Sequence, residues 1–101
     1  LKYKLILRDD FDDYEWEVSA KGYFAGARLV VNEVGYRLNF YDPARLQQEI
    51  ESEAQRGVPF FEPNLVIVRT LTRFDLEQAA EWLVTSGQVA FLMPGSNDPQ
   101  R

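Results

Sequence analysis

The dipeptide Asp42-Pro43 constrains this chain more than any other feature. Aspartate is favoured at the N-cap of a helix and proline at its first position, so one element must stop here and a helix must start. The residues before it read as strands. KYKLILR, residues 2–8, sets Tyr3, Leu5 and Leu7 against Lys2, Lys4, Ile6 and Arg8, and this period of two predicts a half-buried strand. YEWEVS, residues 14–19, sets Tyr14, Trp16 and Val18 against Glu15, Glu17 and Ser19 and predicts a second. Residues 20–26, with Gly22 and Gly26, read as a connection or as a strand broken by bulges. ARLVV (27–31) and YRLNFY (36–41) predict two further strands. Asn32-Glu33-Val34-Gly35 between them suits a hairpin loop with glycine near its end.

After Pro43 the period changes. Leu46, Ile50 and Ala54 form a narrow apolar stripe on an otherwise polar helix, and Arg56-Gly57 suits its end. VPFFEPN, residues 58–64, is a proline-bounded loop. LVIV, residues 65–68, is a continuous apolar run and predicts a strand buried on both faces. Thr72, with Asp75 three residues on, resembles a capping box. It leads into Leu76, Ala79, Ala80, Leu83 and Val84, a full amphipathic period that Gly87 ends. QVAFLM, residues 88–93, suits a last short strand. The expected fold class is therefore α+β, in the order β-β-β-β-α-β-α with an optional final strand. Two helices pack on one face of a mostly antiparallel sheet of 4–6 strands. Residues 1–93 form one domain, and 94–101 (PGSNDPQR) a disordered polar tail.

LNFYDPARLQQEI, with FFEPNLVIV and LVTSG, resembles a segment of small, uncharacterised bacterial α+β proteins. These also run from a strand through Phe-Tyr-Asp-Pro and Arg-Leu into an amphipathic helix. The resemblance spans residues 36–87. It implies a bacterial α+β domain and brings no activity, cofactor or catalytic residue. In size and charge alone the chain is also similar to toxin-neutralising immunity proteins, which implies an inhibitor of a basic toxin as an alternative function.

The chain has no histidine and no cysteine. Disulfides, thiolate metal sites and the commonest general base are therefore excluded. No G-x-S-x-G surrounds a serine, and there is neither a G-x-G-x-x-G nor a Walker lysine. The expectation is a non-catalytic domain without a cofactor, with a small carboxylate metal-binding protein or enzyme using Asp9–Asp13 as an alternative. The net charge of -5 opposes nucleic acid, and the eight arginines are scattered along the sequence. A protein partner with a basic surface fits this charge, and a homodimer is the other expected association. No apolar run approaches the roughly 18 residues of a membrane span, and neither a membrane segment nor a signal segment is expected, which favours a cytoplasmic protein.

Two stretches supply candidate contacts. RDDFDDYEWE, residues 8–17, holds six carboxylates. Pairing Arg8 with Asp13 sets Lys4 opposite Glu17, Leu7 opposite Tyr14 and Leu5 opposite Trp16, so one hairpin register satisfies both faces. Asp9, Asp10, Phe11 and Asp12 are left as the loop. That loop is a solvated turn, an acidic tip that a basic partner reads, or a carboxylate cation site, although EF-hand spacing fails there. The second stretch is Phe60-Phe61 between Pro59 and Pro63, which either plugs the open end of the core or forms a recognition loop. Trp82 lies off the apolar stripe of its helix and is either packed on a sheet edge or exposed as an interface residue. The candidate partner-binding set is Asp9, Asp10, Phe11, Asp12, Phe60, Phe61 and Trp82, with no catalytic or metal-ligating residue.

Overall fold

The computed structural model describes residues 2–95. Its elements run β1 (Tyr3–Ile6), α1 (Phe11–Lys21), β2 (Tyr23–Val31), β3 (Val34–Tyr41), α2 (Pro43–Gln55), β4 (Leu65–Ile67) and α3 (Arg73–Thr85), followed by a 3-10 turn over Gln88–Phe91. The fold is α+β, as the order of signals around Asp42 implies, with a four-stranded mixed sheet and three helices. The strands lie in the order β1-β2-β3-β4. The first two interfaces are antiparallel and β3 runs parallel to β4 across the α2 crossover.

The strand expected over residues 14–19 is a helix, and the hairpin built on it does not form. Arg8 does not pair with Asp13, nor Lys4 with Glu17. Instead β1 pairs with β2, placing Leu5 opposite Leu29 and Lys4 opposite Val30. The local chemistry of residues 11–22 is helical. Asp12 and Asp13 sit in the first turn and Lys21 in the last, each sign complementing the helix dipole. Gly22, in the left-handed region at φ 72°, donates its N–H to the Val18 carbonyl at 3.0 Å and closes the helix. The helix also buries Phe11, which a hairpin would leave at a loop tip. Its ring is fully buried and meets the Phe24 ring edge-on at 5.2 Å. Burial of such a ring stabilises by about 1.5–3 kcal/mol relative to exposure. Phe11 and Val18 define the inner face, so Tyr14 and Trp16, expected in the core, are exposed.

The hairpin of β2 and β3 forms with a tighter loop than expected. Asn32 and Glu33 both have positive φ (49° and 73°), as a two-residue type I′ turn requires. Val31 and Val34 close it, and Gly35 lies within β3 opposite Val30. Between Phe24 and Ala27 the register shifts by one residue, a bulge that keeps both side chains on the buried face.

The core lies between that sheet face and the layer made by α1 and α3. Phe24, Ala27, Leu29, Val31, Leu38 and Phe40 of the sheet meet Phe11 and Val18 of α1 and Leu76, Ala80, Leu83 and Val84 of α3, with Leu7 and Leu71 sealing the ends. Helix α3 begins as its signals predict, the Thr72 hydroxyl accepting the Asp75 N–H at 3.2 Å.

Helix α2 also starts as predicted, Asp42 Oδ1 accepting the Arg45 N–H at 2.8 Å. It stands apart from this core. None of its residues is buried, and Ile50 of its apolar stripe is exposed. Its first turn reaches the opposite sheet face, where the Arg45 guanidinium lies over Tyr23 at 5.3 Å. Asp42 also explains Gly22: a Cβ there would come within 2.6 Å of Asp42 Oδ1.

LVIV is not buried on both faces. Strand β4 is three residues long and ends the sheet, so only β3 flanks it and Ile67 is exposed. The last strand expected over residues 88–93 is replaced by the 3-10 turn, which packs on α3. Of the expected tail, Pro94 and Gly95 are placed, and Gly95 donates its N–H to the Gly35 carbonyl at 2.6 Å. The expected disorder of residues 96–101 lies outside the described residues. No helix among the described residues is long and apolar enough to cross a membrane.

Candidate functional site

Three of the six carboxylates of the acidic stretch, Asp10, Asp12 and Glu15, are engaged by contacts within the chain. Arg8 donates from Nε to Asp10 Oδ1 at 2.6 Å and from Nη2 to Asp10 Oδ2 at 3.1 Å. This bond holds the Asp10 carboxyl below its ordinary value and the Arg8 guanidinium above its own. Asp12 accepts from Arg73 Nε at 2.7 Å, and Glu15 accepts the Arg73 backbone N–H at 2.6 Å. The Arg73 guanidinium also lies 5.6 Å from the Phe11 ring centre and bonds to Glu77. Asp12 first, and Glu77 with it, raise the Arg73 guanidinium above its ordinary value, against the lowering effect of desolvation. The start of α1 is thus tied to the start of α3. Among the described residues no three carboxylates converge as metal ligands. Of the candidate tip, Phe11 faces the core and cannot meet a partner, while Asp9 is exposed and Asp10 and Asp12 are engaged by arginines.

The Phe60-Phe61 loop divides its two rings. Phe60 is half-buried, its ring edge-on to Tyr41 at 5.5 Å, and Tyr41 stacks on Tyr23 at 4.8 Å. Burial, and then the Glu62 carboxylate beside it, push the Tyr41 hydroxyl above its ordinary value. Phe61 is 82% exposed. Phe60 thus packs on the Tyr41 side of the sheet and not in the core, while Phe61 stands in solvent.

Trp82 is 58% exposed on the outer face of α3. Phe74, which is not among the candidates above, is 68% exposed on the same helix. The two are eight residues apart, so they stand about 12 Å apart along one side of the helix at 1.5 Å per residue. Gln78 lies between them, with Glu77 and Glu81 alongside. The spacing i, i+4, i+8 through Gln78 was the available signal. Trp16, at 72%, and Tyr14, at 42%, add exposed aromatics on α1. The helical layer thus presents aromatic rings among carboxylates.

The far face of the sheet has the opposite character. The two-residue turn sets Arg28 directly opposite Arg37. Both point away from the core, since Leu29 and Leu38 beside them are fully buried. Neither guanidinium has a carboxylate oxygen within 4.0 Å among the described residues, whereas Arg8, Arg45, Arg56, Arg69 and Arg73 each do. The arginines scattered in sequence are therefore sorted in space. A four-residue loop over 32–35 would have set Arg28 opposite Asn39, which is why the pair is not legible from the loop expected.

The chain matches no protein-family model, no curated protein and no solved structure. Its function must be read from these surfaces.

Proposed function

We propose that the protein is a non-catalytic protein-interaction domain that binds through the outer face of α3. The observation that carries this reading is the exposure of Phe74 and Trp82 along one side of that helix. Large aromatic side chains dominate the energetics of protein interfaces, and exposing two of them costs solubility unless a partner covers them. Glu81 beside them, with Glu77 bridged to Arg73, gives the face a negative edge. A partner with an apolar centre and basic surround complements it, with the charges steering encounter and the rings supplying most of the affinity. The absence of histidine, cysteine and phosphate-loop motifs from the sequence supports a binding role over a catalytic one.

The test compares capture by the wild type with capture by Phe74→Ala/Trp82→Ala at low and high salt, with sedimentation of both proteins alone. The proposal expects a partner that the wild type retains at low salt, releases as salt rises, and loses with the double substitution. A partner set identical for the two proteins contradicts it. Concentration-dependent sedimentation abolished by the double substitution makes a second copy of the chain the partner.

A further inference from the structure

A separate site lies on the opposite side of the molecule. The Arg28–Arg37 pair lines a cleft of about 580 Å³ whose other walls include Asn39, Asn64, Met93 and Gly95. One wall is the end of the described chain, and it is fastened there. Asn64 donates from Nδ2 to the Arg37 and Met93 carbonyls at 2.9 and 2.8 Å, and its Oδ1 accepts the Met93 N–H at 2.7 Å. Asn64 adopts a positive φ of 53° to do so. The Gly95–Gly35 bond fastens the next residues. The Arg28 guanidinium lies over Gly35: a Cβ there would be 2.9 Å from Arg28 Nη2 and 3.1 Å from its Nε. The bare glycine leaves room for that guanidinium to lie across the strand.

Like charges directly opposite on adjacent strands destabilise a sheet. The chain has 16 acidic residues against 11 basic ones, and every other arginine among the described residues has taken one. The single carboxylate lining the cleft, Glu33, is within 4.0 Å of neither guanidinium. Neither side chain donates a hydrogen bond within the described residues. Two arginines directly opposite on adjacent strands, lining one walled cleft and with no carboxylate partner among the described residues, match an oxyanion that accepts from both.

We propose that this cleft binds a small phosphate monoester, its phosphoryl oxygens accepting from Arg28 and Arg37. A dianion matches the two charges. The volume falls within the usual range of small-molecule sites, so an organic group beyond the phosphoryl has space against Met93 and Pro94.

The full chain is titrated with inorganic phosphate, phenyl phosphate and benzoate, reading the arginine Nε–Hε NMR signals. Assignment comes from Arg28→Gln and Arg37→Gln. Saturable shifts confined to Arg28 and Arg37 are expected with both phosphates, tighter with phenyl phosphate, and weaker or absent with the singly charged benzoate. Each glutamine variant lowers the affinity by about tenfold or more, in line with loss of a charge-assisted contact. Gly35→Ala weakens binding while retaining both arginines. Lys21→Gln, which removes a charge from the end of α1, leaves binding unchanged. Shifts that do not saturate, or an equal loss in Lys21→Gln, overturn the proposal by reducing the effect to general charge attraction. Saturation by inorganic phosphate with no gain from phenyl phosphate overturns the organic part and leaves a free-phosphate site.

Discussion

Replacing Phe11 and Trp16 in turn separates the observed fold from the hairpin that the same residues also suggest. In the structure Phe11 is fully buried, its ring edge against Phe24 and its face beneath the Arg73 guanidinium. Phe11→Ala removes a whole ring from a closed site. Such truncations cost about 3–5 kcal/mol, combining the lost transfer energy with the cavity left behind. Trp16 is mostly exposed, no hydrogen bond of its indole exists among the described residues, and surface replacements of this kind stay within about 0.5 kcal/mol. A hairpin reverses both expectations, because it places Trp16 in the core and Phe11 in water. Urea unfolding followed by circular dichroism at 222 nm measures both variants on one scale. A domain of this size loses roughly 4–8 °C of Tm per kcal/mol, so Phe11→Ala lowers Tm by well over ten degrees. Total stabilities are about 5–15 kcal/mol, so Phe11→Ala alone can unfold a protein at the low end. Phe11→Leu keeps most of the volume and costs about 1.5 kcal/mol or less, which retains a measurable transition. A neutral Phe11→Ala with a costly Trp16→Ala refutes the helix at residues 11–21.

Gly22→Ala and Gly57→Ala both place a side chain at positive φ, which costs about 1–2 kcal/mol, but only Gly22 faces the Asp42 carboxylate at 2.6 Å while Gly57 faces open space. Gly22→Ala is therefore the more destabilising in urea titration, and equal costs contradict the contact. Thr72→Ala removes the cap of α3 and lowers stability by about 1 kcal/mol, read in the same experiment. The raised Tyr41 hydroxyl makes stability pH-dependent. The folded state keeps its proton above the ordinary tyrosine value of about 10 while the unfolded state releases it. This contribution is complete below that value and is lost as pH rises beyond it, so Tyr41→Phe loses less stability than the wild type between neutral pH and the alkaline limit, by urea unfolding at each pH.

The parts of the fold that were legible are those where a local signal has one meaning. Asp42-Pro43 and Thr72 with Asp75 mark helix starts that tertiary packing does not override, and both caps form. Residues 14–19 carry a signal with two meanings. Six residues of alternation fit a strand, yet Val18 lies on the inner face in either conformation, and the deciding partners are distant. Phe24 receives Phe11, and Arg73 receives Asp12 and Glu15, from 13 and roughly 60 residues away. The buried run LVIV failed for a related reason. A continuous apolar strand implies two covered faces, but the sheet ends at β4 and nothing in those four residues says so. The candidate surfaces show the same division. Trp82 was visible as a residue off its stripe, whereas the Arg28–Arg37 pair depends on whether the turn holds two residues or four. Asn32 and Glu33 at positive φ decide that, and glutamate is an unusual choice for such a position.

The central claim is that α3 offers an uncovered aromatic face, and quenching of Trp82 fluorescence by acrylamide tests it most directly. In Trp16→Phe, where Trp82 is the only tryptophan, the expected result is red-shifted emission and efficient quenching in dilute protein. Protection that appears with rising protein concentration means that a second copy covers the face. Blue-shifted, poorly quenched emission that persists on dilution contradicts the claim, because a tryptophan buried within its own chain leaves no surface for a partner.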